Sequence, residues 1–538
     1  MSTPDVIVVG SGASATSAAF PLVEAGHRVL MLDVGNTDSR YAPLVPDARF
    51  SEIRHREPLQ HRYFLGDEFE GVPFGRLRVG AQLTPPRQFI HRDTDRLTPV
   101  RTNTFVGLES LALGGLAAGW GAIAVQFDDR DMAGYPVGAK DLAPHYEVVS
   151  ARVGISGARD DLLPFYGDTP TLQPALDLDS NGRAILLRYQ ARRGRLVRDG
   201  IHLGRPRLAV LSRDLGSRRG QRYHDMDYYI DQDRSVFRPA FAVEELSRYE
   251  NFTYASPWLV ERFRESTSRD GIAVDARHTG TGRVETFTAR RLVLAAGTLG
   301  TARIVLRSFE RYGTSVPIVS NPYTYVPCIN LAAVGKAAID DRHSLTQLAA
   351  IYAPHDATLP LAHAQIHSYR SLLLFKLAKE APLPIPEAFR VMRELLNSFV
   401  ILSIQHEDRP TAGKHCILQR DTRGGRDVLE IVYEQEPAIA DRQARAEKVF
   451  LRALRTLGCW PIKRIRPGHG SSIHYAGTVP MTTEEREITA TPDCRLRGTK
   501  TVYLADGSVL PYLPAKALTL TLMANADRVG SLVASGLR

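Results

Sequence analysis

The opening stretch Asp5–Gly35, DVIVVGSGASATSAAFPLVEAGHRVLMLDVG, leaves the chain few folds to choose from. Val6–Val9 is an apolar run of strand length, Gly10-x-Gly12-x-x-Ala15 turns out of it into a helix, and His27–Leu32 reads as the next strand with Asp33 at its end. That is a dinucleotide fingerprint in full βαβ context. The first glycine makes the tight turn, the second lets backbone approach a pyrophosphate, and the small third residue lets helix and strand pack closely. Phosphates would sit on the helix N-terminus, where unpaired N–H groups and the dipole favour negative charge. Asp33 would accept hydrogen bonds from the adenosine ribose, which argues against a 2′-phosphate and so against NADP. Alone, the fingerprint does not choose between NAD and FAD, and a glycine-rich turn serving only the sheet is the bland alternative. Pro21 removes a helical hydrogen bond and should kink the helix late.

At 538 residues and 43% hydrophobic, the chain can bury a large core and is expected to form two domains. The formal charge of +9 comes from basic residues spread along the chain, a pattern of solvated surface. No nucleic-acid partner is expected, although anionic or glycan-phosphate ligands are compatible with that charge. Cys328, Cys416, Cys459 and Cys494 lie far apart without a CxxC, so they imply buried thiols, with neither a disulfide framework nor a metal site. No apolar run approaches the ~20 residues that span a bilayer, and the first strand begins within a few residues of Met1. The expectation is no membrane span, no signal peptide and a cytoplasmic protein.

From residue 36 to about 100 periodicity is lost, and a loop of that length usually covers or builds a site. Phe105–Val125 then surrounds Trp120 with small residues. Gly114-Gly115 and Gly119-x-Gly121 would let main chain lie against a flat ligand, or serve close helix–sheet packing. Val137–Gly157 reads as a surface helix, DLAPHYEVVSARVG, whereas the Tyr-, Asp- and His-rich run YHDMDYYIDQDRSVF would line a polar pocket or edge a sheet, with no single residue assignable. Phe252–Phe263 reads as one strand; Arg291–Gly297 and a helix over Thr298–Leu306 repeat the logic of the N-terminal motif. Between about 311 and 460, strands such as Phe399–His406 and Val428–Tyr433, the apolar segment SLLLFKLAK and an amphipathic helix over Asp441–Leu457 suggest an antiparallel sheet backed by helices. His363, His367 and His406 in that part read as structural. In the last segment Thr501–Leu504 is a strand ending in Ala505-Asp506-Gly507, followed by a helix over Leu518–Leu532, which again points an acid at a ligand crevice.

In these motifs the chain resembles the glucose–methanol–choline oxidoreductases, FAD enzymes that oxidise alcohols. The fingerprint with Asp33 and Gly35, Leu113–Gly121, LVLAAGTLGTARIVLRS, and the block H-x-x-G-T followed by YLADGSVLP and TLTLMANADR occur in the family's order over nearly the whole chain. Residues 155–205 and 311–460 carry little of the resemblance. The resemblance implies an α/β FAD-binding Rossmann-like domain with a parallel sheet (1–40, 101–154, 206–310 and 461–538). It also implies an α+β substrate domain with an antiparallel sheet and active-site loops (41–100, 155–205 and 311–460). Gly10, Gly12, Ala15 and Asp33 would bind the ADP half of FAD, with Val260, Ala296 and Gly297 flanking the adenosine. Asp506 and Gly507 would meet the pyrophosphate or ribityl chain, and Gly114, Gly115, Trp120 and Gly121 the ring system. The Trp120 stretch is most similar to the pyranose-oxidase branch, where a histidine just before this tryptophan can bond the flavin covalently. Here that residue is Gly119, so non-covalent FAD is expected.

The same resemblance makes His474 the base that takes a hydroxyl proton as hydride leaves for flavin N5, work suited to an imidazole. The family's second His or Asn before the final helix is replaced by Ala517, with Lys516 beside it. Either His474 works alone with orientation supplied by another residue, for example from the 40–100 loop, or Lys516 stabilises the developing alkoxide, or the chemistry has been altered or lost; the plain reading of Lys516 is a solvated surface lysine. The leading expectation is oxidation of a hydroxyl on a sugar, glycoside or other polyol. The alternatives are a flavoprotein of lyase-type, decarboxylating or redox-neutral chemistry and a catalytically silent scaffold. No motif specifies the electron acceptor, oxygen or another.

Overall fold

The computed structural model describes residues 3–71, 84–266, 271–336, 342–368, 383–421 and 425–537. The expected apolar segment SLLLFKLAK lies outside the described residues. The elements that position the site are, in chain order, β1 (Val6–Val9), α1 (Ala13–Glu24), β2 (Val29–Leu32), α2 (Ser180–Arg198), β3 (Ile201–Gly204), β4 (Phe252–Ala255), β5 (Arg291–Leu294) and α3 (Thr298–Ser308). They continue with β6 (Tyr323–Asn330), β7 (Leu348–Tyr352), β8 (Ala362–Ser368), β9 (Phe399–His406), α4 (Pro437–Thr456), β10 (Cys459–Pro461), β11 (Val502–Leu504) and α5 (Thr519–Ser535).

A five-stranded sheet in the order β11-β5-β1-β2-β4 is parallel at every pairing, with β1 at its centre. All four residues of β1 are buried, as expected for a strand covered on both faces. One cover is the pair α1 and α5, which cross closely because their contact is built from small residues. A Cβ on Gly530 would stand 2.2 Å from the Ala18 carbonyl oxygen, so no larger side chain fits that crossing. Pro21 falls in the last turn of α1 and meets Gly530 at the same contact.

The segment Phe252–Phe263 is not one strand. Pro257 has no N–H to offer a ladder, and the run divides there: β4 joins the edge of the parallel sheet, while Trp258–Glu265 pairs into a separate three-stranded antiparallel sheet.

A six-stranded sheet, β10-β6-β9-β8-β7-β3, is antiparallel throughout. Its strands alternate. Val326 and Cys328, Ala362, Ala364 and Ile366, and Val400, Leu402 and Ile404 face a core shared with Ile185 and Tyr189 of α2 and with Phe450 and Leu454 of α4. Because side chains alternate with period two, the opposite face carries Tyr323 and Tyr325, His363 and Gln365, and Ser403 and Gln405. Register sets Gln405 opposite both Tyr323 and His363. The helices thus cover one face of this sheet and leave a polar face for the site.

The four cysteines are buried and unpaired. Among the described residues, no helix is long and apolar enough to cross a membrane, and no group of three or more His, Cys, Asp or Glu is placed to hold a metal ion.

Candidate active site

Separated stretches of the chain converge on one cavity of about 340 Å³ that takes residues from both large sheets. From the βαβ unit come Gly10, Gly12 and Asp33; from the glycine-rich stretch, Gly115, Trp120 and Gly121; from the middle of the chain, Val260, Ala296 and Gly297; and from the C-terminal segment His474, Asp506, Gly507 and Ala517. The antiparallel sheet adds Tyr323, Tyr325, Gln365 and Gln405.

The residues around α1 suit a dinucleotide. Gly10 has φ +97°, and a Cβ there would lie 2.6 Å from the Ala295 carbonyl oxygen, so the turn tolerates only glycine. The N-terminus of α1 has no side-chain cap and no acid in its first turn. Ala13 and Ser14 line the cavity, so the unpaired N–H groups of that turn open onto space where a phosphate would satisfy them. Asp33 accepts from Ser11 Oγ at 2.5 Å and from Tyr254 OH at 3.1 Å. Burial nonetheless pushes its carboxyl up to about 7, and ribose hydroxyls would supply the further donors that favour its ionised form. Asp506 is held in the same way by Thr301 Oγ1 at 2.5 Å and the Ser508 N–H at 2.9 Å, and burial raises its pKa.

Trp120 is fixed by its indole N–H, which donates to the Phe237 carbonyl at 2.8 Å. The Arg238 guanidinium donates to the carbonyl of Trp120 at 3.4 Å, bracing the loop from behind.

His474 is oriented by a residue that sequence reasoning missed. Its Nδ1 lies 3.0 Å from Asn321 Oδ1, and both hydrogens of the Asn321 amide are engaged, donating to the carbonyls of His406 and Pro514 at 2.8 Å each. With its NH₂ committed, the amide presents only an acceptor to the ring, so Nδ1 carries the hydrogen and Nε2 keeps its lone pair. The uncovered part of His474 faces the cavity, and removal from bulk water lowers its pKa to about 4. The ring is therefore a neutral base at ordinary pH. Asn321 lies where the resemblance is weak, and its sole local sign is an Asn-Pro step before a strand.

Three expected contacts take a different place. Ala15 is fully buried in the main core and does not line the cavity; as the fingerprint's third residue it packs helix against strand. Gly114 also stands off the cavity. With φ +93° it turns the chain into the helical turn Gly115–Gly119, and its N–H donates to Ser11 Oγ at 2.9 Å. Lys516 is not on the surface, and it does not line the cavity. It is 0% exposed, and its ammonium pairs with Asp128 at 2.8 Å and with Asp131. Its neighbour Ala517 does line the cavity and offers it only a methyl group. Part of the 40–100 loop expected to orient a hydroxyl, residues 72–83, lies outside the described residues. Its described part brings Ile90, Leu97 and Thr98 to the cavity.

Known proteins share parts of this sequence and its fold. Residues 423–526 match the family model described as GMC oxidoreductase. The chain is 25% identical to the 6'''-hydroxyparomomycin C oxidase of Streptomyces lividus, over 99% of this chain and 92% of that protein. It is 24% identical to the paromamine 6'-oxidase of Streptomyces fradiae over the same shares. Among solved structures it resembles pyridoxine 4-oxidase from Mesorbium loti, with a TM-score of 0.60 at 13% identity over 98% of this chain and 99% of that one. A formate oxidase variant of Aspergillus oryzae gives 0.59 at 12% identity over 99% and 98%. These matches fall on a chain whose parallel and antiparallel sheets meet at one cavity: its C-terminal segment 423–526 matches the glucose–methanol–choline oxidoreductases, a family whose enzymes use FAD, and the whole chain is similar to the oxidases above.

Proposed function

We propose that this protein oxidises a hydroxyl-bearing carbon of a sugar, glycoside or other polyol, with His474 as base and non-covalently held FAD as the two-electron acceptor. One observation carries the reading: the α1 N-terminus, the Trp120 glycines and the neutral, oriented His474 open onto the same cavity. The two Streptomyces relatives support the substrate class, since their names describe oxidases of paromamine and of 6'''-hydroxyparomomycin C. Glycosides of that kind are the first candidates.

In this reading Gly10, Gly12, Asp33, Val260, Ala296 and Gly297 hold the ADP half of FAD. Asp506 and Gly507 hold its pyrophosphate or ribityl chain, and Gly115, Trp120 and Gly121 adjoin its ring. Bound there, FAD supplies a two-electron sink for the hydrogen on the carbinol carbon. The chain's own task is the proton: His474 Nε2 takes it from the hydroxyl, and Asn321 keeps the ring in the tautomer able to do so. The parallel-sheet portion is assigned to the cofactor and the antiparallel-sheet portion to the substrate.

Anaerobic mixing of the flavin-loaded protein with paromamine, other sugars and glycosides, and a sterol tests the proposal through flavin absorbance. Bleaching by a polyhydroxylated compound is expected. No bleaching by any hydroxylated compound would sink the proposal, and bleaching by the sterol alone would move the substrate class.

Two further results are expected. Asn321→Leu should lower the rate of reduction roughly ten- to hundredfold, the equivalent of about 1–3 kcal/mol for a buried partner left unmatched; stopped-flow reduction at saturating substrate checks it. Acid precipitation should release the flavin into the supernatant, because Gly119 offers no side chain for a covalent bond. A yellow pellet would show otherwise.

A further inference from the structure

We propose that Gln405 supplies the hydrogen-bond donor that Ala517 cannot, holding the substrate oxygen while His474 takes its proton. This rests on the reading above that the cavity oxidises a hydroxyl. Gln405 lines the cavity yet is only 4% exposed. It stands opposite His363 in the β8–β9 register, and the residue after it, His406, supplies a carbonyl that anchors Asn321. The amide and the His474 ring are therefore tied to one stretch of backbone.

The orientation of the amide follows from its neighbours. Tyr166 OH lies 2.8 Å from His363 Nε2. If the phenol donates there, the ring hydrogen sits on Nδ1. His363 is 0% exposed, and burial, with Lys516 and His474 nearby, lowers its pKa to about 3, so it stays neutral. His363 and Gln405 interact, yet His363 Nδ1 and Gln405 Oε1 are both buried without closing to a hydrogen bond. With the ring hydrogen on Nδ1, the acceptor it would seek on Gln405 is Oε1, which is buried without another partner. That leaves Gln405 Nε2 as the polar atom available to the cavity. An uncharged N–H₂ in that position donates to a hydroxyl oxygen and donates more strongly as the oxygen gains negative charge. In the reaction the O–H proton passes to His474 Nε2, and the carbinol hydrogen leaves with its electron pair to FAD. The C–O single bond becomes a carbonyl, and Gln405 neither gains nor loses an atom.

The test uses the flavin-loaded protein and paromamine. Gln405→Leu should reduce its flavin about 10²–10³-fold more slowly than wild type, the cost of one donor to a developing oxyanion. Flavin content should stay unchanged. Gln405→Asn, with the amide on a shorter arm, should recover part of the loss. Reduction of Gln405→Leu at the wild-type rate would overturn the assignment while leaving the oxidation reading intact. If no hydroxylated compound reduces the wild type, that reading falls, and binding decides Gln405 by itself. With glutamine side chains labelled with nitrogen-15, the Gln405 amide signals of the oxidised protein should shift on titration with paromamine. Signals unmoved at the highest paromamine concentration would overturn the assignment.

Discussion

Replacing His474 by alanine is expected to slow flavin reduction by substrate about 10²–10⁴-fold, the range over which a positioned general base contributes, with flavin content unchanged. The expectation rests on the state of the ring as much as on its place. Burial lowers its pKa to about 4, and the Asn321 carbonyl oxygen fixes the hydrogen on Nδ1. A depressed histidine pKa has a definite sign: the ring is unprotonated above about 4 and loses its basic form only as pH falls through that value. The kcat/KM of the free enzyme should therefore hold from neutrality down to about pH 5 and drop near 4, whereas an ordinary histidine would give a limb near 6.5. A limb near 6.5, or a His474→Ala variant within tenfold of wild type, would remove His474 from the role.

Lys516→Met is expected to cost about 3–5 kcal/mol of stability, since it leaves buried charge without its partner. Asp131 is 6% exposed and Asp128 lies beside it. Even with the ammonium in place, burial and the Asp128 charge push Asp131 up to about 6. Without the lysine both carboxylates lose their counter-charge, and urea unfolding should show an earlier midpoint. Adding Asp131→Asn to Lys516→Met should restore part of the loss by removing one orphaned charge. If Lys516→Met instead kept full stability and lost substrate-driven reduction, the lysine would belong to the chemistry after all.

The motifs readable from sequence are those whose physics is local. Gly10 and Gly12 announce themselves because a turn against a neighbouring strand excludes Cβ at fixed spacing, and β1 because a strand covered on both faces is continuously apolar. The division of Phe252–Phe263 was also written locally, in Pro257. Ala15 and Gly114 show the limit of motif reading: one sits in the fingerprint and the other in the glycine-rich stretch, yet they serve packing and turning instead of lining the cavity.

The other half of the site was not legible because it is made by strand register. His363, Gln405 and Tyr323 belong to three strands far apart in the chain and share a row only because β6, β9 and β8 pair antiparallel. The alternation in Ala362–Ser368, AHAQIHS, tells that His363 and Gln365 share a face, but not which cavity that face meets. Asn321 reaches His474 across 153 positions. By itself, then, the sequence determined a βαβ crevice with Asp33 and a candidate base at His474. The tertiary structure decided how that base is oriented, and it turned two adjacent residues apart: Lys516 toward buried carboxylates, Ala517 toward the cavity. The physical reason is that a glycine's backbone freedom is a property of its own position, whereas the direction and partner of a polar side chain are set by whichever distant strand or helix packs against it.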